Sequence, residues 1–348
     1  MMPPHTPEHD HSPHTALAGA RVLLTGGTGF VGRHLVPALV AAGAQVTCLV
    51  RPTSDTSLLP PGVRIASANL LTGAGLAEAV AGQELVLHLA AVLFGWGWQD
   101  YLRGNALAAQ HLGAALAASP TLKRCVHVSS LAASAPSACG VPDDVAPAPV
   151  SAYGWSKFLA EQCLGRALGD RLVVLRPPII YGSGDKGLLP WFKAARRGLV
   201  VTPGWRRPFP VSMIHAHDVV RAILCCCRPE AHGAYHCSDG HTHDMGHVGL
   251  LIAQLLGRSS AHHIGLPLPL MGAAAALASG FACLVRRPGG RAPSWNLDKY
   301  REARQVGWVC AGERIRAELG FAPRVDLASG LAEAIEGYTA LGWLPGAA

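Results

Sequence analysis

From residue 21 to about residue 176, short unbroken apolar runs alternate with stretches whose apolar residues recur at helical spacing. The runs read as strands: Arg21 to Leu24, Gln45 to Val50, Val63 to Ala66 as a candidate, Glu84 to Leu89, Lys123 to Ser129 and Arg171 to Leu175, several of them apolar throughout and so buried on both faces. After the first of them, Val31, Leu35 and Leu39 line one face of a helix that Pro37 should kink and Gly43 should end. A long Ala/Leu-rich helix is expected over Gln99 to Ala118, and another from about Ser151 to Leu168. Strands alternating with helices predict an α/β chain with a doubly wound parallel sheet.

Beyond Arg176 the alternation gives way to Pro- and Gly-rich segments, as expected of a smaller C-terminal lobe built from insertions. We divide the chain into a tail over 1–20, a sheet domain over 21–177 and a substrate lobe over 178–343, with segments near 211–237 returning to the sheet. Of these segments, Asp218 to Cys227 reads as a buried helix and Ala234 to Cys237 as a strand. The tail is Pro- and His-rich without periodicity, so it is expected to be disordered, with His5, His9, His11 and His14 in solvent. Leu266 to Val285 carries no charge and is long enough to span a bilayer, but its two prolines and its alanines and glycines favour a lobe helix or a surface-associated segment.

Composition narrows the setting. The 348 residues are 50% hydrophobic and only 15% charged, enough for a substantial core. The chain opens without a basic segment followed by an apolar run, so export is not expected. Ten cysteines without a C-x-x-C pair read as buried thiols in a reducing cytoplasm. A net charge of +7 suits an anionic cofactor or substrate, or peripheral contact with an acidic membrane surface. The basic pairs Arg196-Arg197, Arg206-Arg207 and Arg286-Arg287 are not interleaved with aromatics, which argues against nucleic acid. The His-rich run from His232 to His247 matches no zinc spacing, and no metal is expected there.

Two stretches carry chemistry. Thr25-Gly-Gly-Thr-Gly-Phe-Val-Gly32 joins a strand to a helix, and Gly26, Gly29 and Gly32 would let a pyrophosphate approach bare backbone at the helix N-terminus. Tyr153-Gly-Trp-Ser-Lys157 sets a phenol and an ammonium on one helix face, where the cation eases phenol ionisation for proton exchange with an alcohol or ketone. Ser130, at the end of the strand Lys123 to Ser129, can hydrogen-bond the substrate oxygen.

The set resembles the extended short-chain dehydrogenase/reductase superfamily, also described as the NAD-dependent epimerase/dehydratase family. The resemblance rests on TGGTGFVG at 25–32, HLAA at 88–91, Asn105, HVSS at 127–130, YGWSK at 153–157, LRPPIIYGSGD at 175–185, MIHAHDVVRAI at 213–223 and LGFAPRVDLASGLAEAI at 319–335. It implies a Rossmann-type fold with Tyr153 as catalytic acid/base, Lys157 orienting the nicotinamide ribose and lowering the tyrosine pKa, and Ser130 polarising the substrate oxygen. Cofactor contacts would come from Gly26, Gly29, Phe30, Val31, Gly32, Arg51, Asn69, Leu70, Leu89, Ala90, Ala91, Asn105, Tyr153, Lys157, Pro177 and Ile179.

Three departures bear on the subfamily. Arg51 stands where a ribose-binding acid is usual, so NADP(H) is favoured over NAD(H), with Asp55 the nearby acid that argues otherwise. Ile179 replaces an asparagine that helps nucleotide-sugar enzymes bind a diphosphate. Phe94, Trp96, Trp98 and Ile180 would offer apolar surface to substrate. The resemblance is therefore to the branch of 3β-hydroxysteroid dehydrogenases and dihydroflavonol reductases. It implies an oxidoreductase interconverting a secondary alcohol and a ketone on a bulky apolar small molecule. The alternatives are a nucleotide-sugar epimerase or dehydratase, and a cofactor-binding scaffold without turnover. Pairing of the two long helices in a homodimer stays open.

Overall fold

The computed structural model describes residues 17–205, 207–284 and 292–345. Seven strands form one parallel sheet: β1 (Arg21–Thr25), β2 (Gln45–Val50), β3 (Arg64–Ser67), β4 (Leu85–His88), β5 (Arg124–Val128), β6 (Leu172–Arg176) and β7 (Gly233–His236). Their spatial order is β7-β6-β5-β4-β1-β2-β3. The order reverses between β1 and β4, where Val22 aligns with Val46 on one side and with Leu85 on the other. In an open parallel sheet the crevice beyond the strand ends at that reversal is where ligands bind.

The unbroken apolar runs are explained by burial on both faces. Val22 and Leu24 point into a layer with Leu35, Val36 and Leu39 of the helix Phe30–Ala41 and with Val219 and Ile223 of the helix Ala216–Cys226. Leu23, between them, points the other way, onto Leu112 and Leu116 of the helix Ala108–Ala117 and Leu164 of the helix Ala152–Leu168. Fully burying each such side chain contributes about 1.5–3 kcal/mol, so the two layers hold the strand ends in place. Pro37 lies inside the first helix without ending it.

Several expectations change in detail. The helix expected over Gln99 to Ala118 forms as an α-turn Trp98–Tyr101, a π-helical stretch Leu102–Leu107 and an α-helix Ala108–Ala117. The expected tail lies outside the described residues as far as residue 16, but residues 17–20 are ordered. Leu17 is buried in the sheet core and the Gly19 N–H donates to Gly43 O at 2.8 Å.

The lobe holds a second, four-stranded sheet of His243–Asp244, Pro210–Val211, Trp308–Cys310 and Ser137–Val141. Ser137–Val141, Ser-Ala-Cys-Gly-Val, has neither alternation nor an apolar run, and its pairing with Trp308–Cys310 alone makes it a strand. The uncharged segment forms the helix Leu268–Leu284, which exposes Leu270, Leu277 and Phe281. It packs on the helix Leu297–Ala303, with Leu297 N–H donating to Ser279 Oγ at 3.1 Å. Among the described residues no helix is long and apolar enough to cross a membrane.

Candidate active site

A cavity of about 1080 Å³ opens at the reversal of strand order. Its floor is the glycine turn. Gly26 sits at φ +77°, and an added Cβ would lie 2.8 Å from Ala90 N, so β1 and the segment after β4 meet through bare backbone. At Gly32 a Cβ would lie 2.7 Å from Gly27 Cα, so the helix start packs on the turn only as glycine. The helix has no acid in its first turn and no side-chain cap, which leaves its first N–H groups and positive dipole end to an anion. A pyrophosphate-bearing dinucleotide fits these residues.

Gly26, Gly29, Phe30, Val31, Gly32, Arg51, Asn69, Leu70, Leu89, Ala90, Ala91, Ser130, Tyr153, Lys157, Pro177 and Ile180 all line the cavity. Five expected residues do not. Asn105 lies buried beneath it, accepting from Val92 N at 2.7 Å and donating to Val92 O at 3.1 Å and Ser156 Oγ at 2.8 Å. It shapes the wall rather than touching the space. Ile179 turns the other way from its neighbour Ile180, as alternation along the strand Ile179–Tyr181 requires, and packs on the lobe core. Phe94, Trp96 and Trp98 sit outside the wall, Phe94 and Trp98 being exposed. Leu93, Asp100 and Arg103 line it instead. Arg103 reaches the wall from the π-helical stretch, a register that helical periodicity does not anticipate.

Ser151 caps the helix Ala152–Leu168, its Oγ accepting from Gly154 N at 2.9 Å, and so places Tyr153 in the first turn at the cavity edge. One turn on, buried Lys157 donates through Nζ to Val128 O at 2.8 Å. Burial lowers the Lys157 pKa to about 8, against the opposing pull of Glu161. Burial raises the Tyr153 pKa, while Lys299 and the Ser130 hydroxyl pull it down. Both serines line the cavity. Ser129 Oγ donates to Glu161 Oε1 at 2.5 Å, in a buried pair with Arg176, and Ser130 Oγ accepts from Ala132 N at 3.1 Å.

The sequence reading missed a second set of groups from the lobe helix Leu297–Ala303. Asp298 accepts from Ala152 N at 2.6 Å and Tyr153 N at 3.1 Å, and Glu302 accepts from Ser151 Oγ at 2.7 Å. Lys299 Nζ donates to Glu302 at 2.9 Å and stands 4.9 Å above the Tyr153 ring. Nothing in the local pattern announces them, since Asp298 and Tyr153 are 145 residues apart.

His236 and His243, in the run from His232 to His247, lie against carboxylates. His243 Nε2 contacts Asp239 at 2.6 Å, His236 pairs with Asp143, and Asp244 caps the helix Met245–Leu255. Among the described residues one trio has metal-like spacing, with Glu333 lying 3.5 Å from His215 and 3.8 Å from His217. His215 Nδ1 accepts from His217 N–H at 3.4 Å. His215 Nε2 is buried and has no hydrogen-bond partner among the described residues.

Comparison with known proteins gives this geometry a family. Residues 22–237 match the model of the NAD dependent epimerase/dehydratase family. The chain is 30% identical over 332 residues to a ceramide reductase of Caulobacter vibrioides, covering 93% of this chain and 96% of that protein. It is also 30% identical over 326 residues to 4-hydroxy-2-methyl-3-oxo-4-farnesyl-3,4-dihydroquinoline-1-oxide ketoreductase of Stigmatella aurantiaca, covering 89% and 94%. In fold it is similar to UDP-glucuronic acid 4-epimerase from Bacillus cereus in complex with UDP-glucuronic acid and NAD, with a TM-score of 0.73 at 17% identity over 92% of this chain and 99% of that one. The chain belongs to the NAD dependent epimerase/dehydratase family and is an NAD(P)-dependent enzyme of the extended short-chain dehydrogenase/reductase class.

Proposed function

We propose that this enzyme interconverts a secondary alcohol and a ketone on a bulky, mainly apolar small molecule, with NADP(H) favoured. The observation that carries the reading is the convergence of Ser130, Tyr153 and Lys157 on one cavity wall beside the glycine cradle, with Val92, Leu93 and Ile180 as apolar neighbours. A bound nicotinamide would supply or take the hydride. Tyr153 hands its phenolic proton to the forming alkoxide, or takes one from the alcohol in reverse. Ser130 donates to the same oxygen and stabilises its charge. Lys157, fixed on Val128 O, would hold the ribose of a bound cofactor. Two relatives similar over most of their length are named for reductions, one of ceramide and one of a farnesyl-bearing compound, which supports an apolar substrate. Nine described cysteines are free and seven of them buried, which supports a reducing, cytoplasmic setting.

The test is the absorbance of reduced nicotinamide during turnover of ketone and alcohol panels. Stoichiometric change is the expected outcome. Turnover of a nucleotide sugar with no net change would replace this reading with an epimerase or dehydratase.

The NADP(H) preference rests on Arg51, an exposed guanidinium in the cavity wall at the end of β2. Asp55 lies off the wall and its carboxylate accepts from Ser57 N at 3.0 Å. A charge-assisted hydrogen bond contributes about 1.5–3 kcal/mol, so Arg51→Asp should weaken NADPH binding relative to NADH by about ten- to a hundred-fold. Equilibrium binding of both cofactors checks this, and an unchanged preference removes Arg51 from the argument.

A further inference from the structure

The cation that faces the Tyr153 ring comes from the other lobe. Lys157, one turn along on the same helix, directs its ammonium to Val128 O at 2.8 Å and is balanced by Glu161. Lys299 Nζ instead stands 4.9 Å from the centroid of the Tyr153 ring and 5.9 Å from that of Phe94. It is held there by Glu302, whose other oxygen takes the Ser151 hydroxyl. Asp298 fixes the same lobe helix to the first two backbone N–H groups of the Tyr153 helix. The lobe helix is therefore docked on the start of the tyrosine helix by three hydrogen bonds, and one of its side chains places positive charge on the ring face.

We propose that Lys299 is a positioning residue for the reaction, a second cation delivered by the C-terminal lobe that meets the charge developing on the Tyr153 phenol as its proton moves. A cation over an aromatic face is attracted by the ring's quadrupole, and the attraction grows when the ring system gains negative charge. The inference rests on the role of Tyr153 proposed above. The charged and titratable groups packed around that phenol are Tyr101, in edge contact with ring centroids 6.1 Å apart, Asp100 and Arg103 in the neighbouring cavity wall, Lys157 on its own helix, and Asp298, Lys299 and Glu302 on the lobe helix. Of these, Lys299 lies over the ring and opposes the effect of burial on the phenol. It also ties the substrate lobe to proton transfer. Displacing the lobe helix withdraws the cation from the tyrosine.

The test compares Lys299→Gln, which keeps a donor for Glu302, and Lys299→Arg, which keeps the charge, with the unaltered full chain. Two readouts are followed: the pH dependence of kcat/KM for alcohol oxidation, and ionisation of the Tyr153 phenol by ultraviolet difference spectroscopy, with Tyr153→Phe subtracted. An opposite charge at this range moves a pKa by about one unit or more. Lys299→Gln should therefore move both midpoints upward by about one pH unit, with about a tenfold loss of kcat/KM below them. Lys299→Arg should restore both. Midpoints that stay in place in Lys299→Gln, or that move equally in Lys299→Arg, overturn the inference. Normal turnover in Tyr153→Phe would instead overturn the proposed role of the tyrosine, and the spectroscopic midpoint still reports on Lys299 in that case.

Discussion

Replacing Tyr153 by Phe should lower kcat/KM by about two to four orders of magnitude, the range a positioned general acid contributes. The change removes one oxygen and little else. The ring is 8% exposed and packed against Tyr101, and the backbone N–H of residue 153 remains held by Asp298. Phenylalanine keeps those contacts and the face over which Lys299 sits. The glycine turn and Arg51 lie elsewhere on the cavity, so cofactor affinity should change by no more than about twofold, a few tenths of a kcal/mol. Steady-state kinetics beside equilibrium cofactor binding separates the two effects. Turnover at the parent rate would refute the assignment of Tyr153, whereas joint loss of binding and turnover would point to damage of the fold.

The second large effect is acid instability. His88, the last residue of β4, and His127, next to last in β5, lie side by side with their rings stacked at 5.0 Å, and both are buried, as is His215. Burial first, and then Lys157, lowers the His88 pKa to about 3, and burial holds His127 well below the usual range. Burial likewise takes His215 down to about 4, against the upward pull of Glu333. Each group is depressed in the folded state, so its neutral form is accommodated without cost above the unfolded pKa near ~6.5. As pH falls below that value the unfolded chain binds protons that the folded chain refuses, and stability drops until the folded pKa is reached. Each histidine approaches a slope of about 1.4 kcal/mol per pH unit below pH ~6.5, so three of them remove roughly 5 kcal/mol between pH ~6.5 and ~5. Typical stabilities are about 5–15 kcal/mol, so much of the margin should be gone by pH ~5. Urea midpoints across this window provide the measurement, with His127→Gln expected to reduce the slope by about one third. A midpoint flat from pH ~7 to ~5 would contradict the neutral burial of these rings.

The parts legible in the sequence share a physical origin. The central strands between Arg21 and Leu175 could be read because a parallel strand covered by helices on both sides must be apolar throughout, as Val22, Leu23 and Leu24 are, whereas the edge strand Arg64–Ser67 is largely exposed. The glycine turn could be read because no other residue fits where backbone packs on backbone, as at Gly26 and Gly32. The pair Tyr153 and Lys157 was legible because helical spacing alone brings them to one face. Asn105 was found by its motif, but its contacts give it a structural duty under the cavity wall. Phe94, Trp96 and Trp98 were chosen for their chemistry, and the chain path after β4 keeps them off the wall.

By itself, then, the sequence determined the sheet, the glycine turn and the tyrosine–lysine pair, because each depends on residues within one turn, one strand or one strand–helix junction. Only the tertiary structure decided which of Ile179 and Ile180 faces the cavity, that Ser129 hydrogen-bonds Glu161 in its pair with Arg176, and that Asp298, Lys299 and Glu302 close over Tyr153. These outcomes rest on contacts between segments up to 151 residues apart. Such contacts are set by how the lobe packs on the sheet, and local spacing carries no record of that packing.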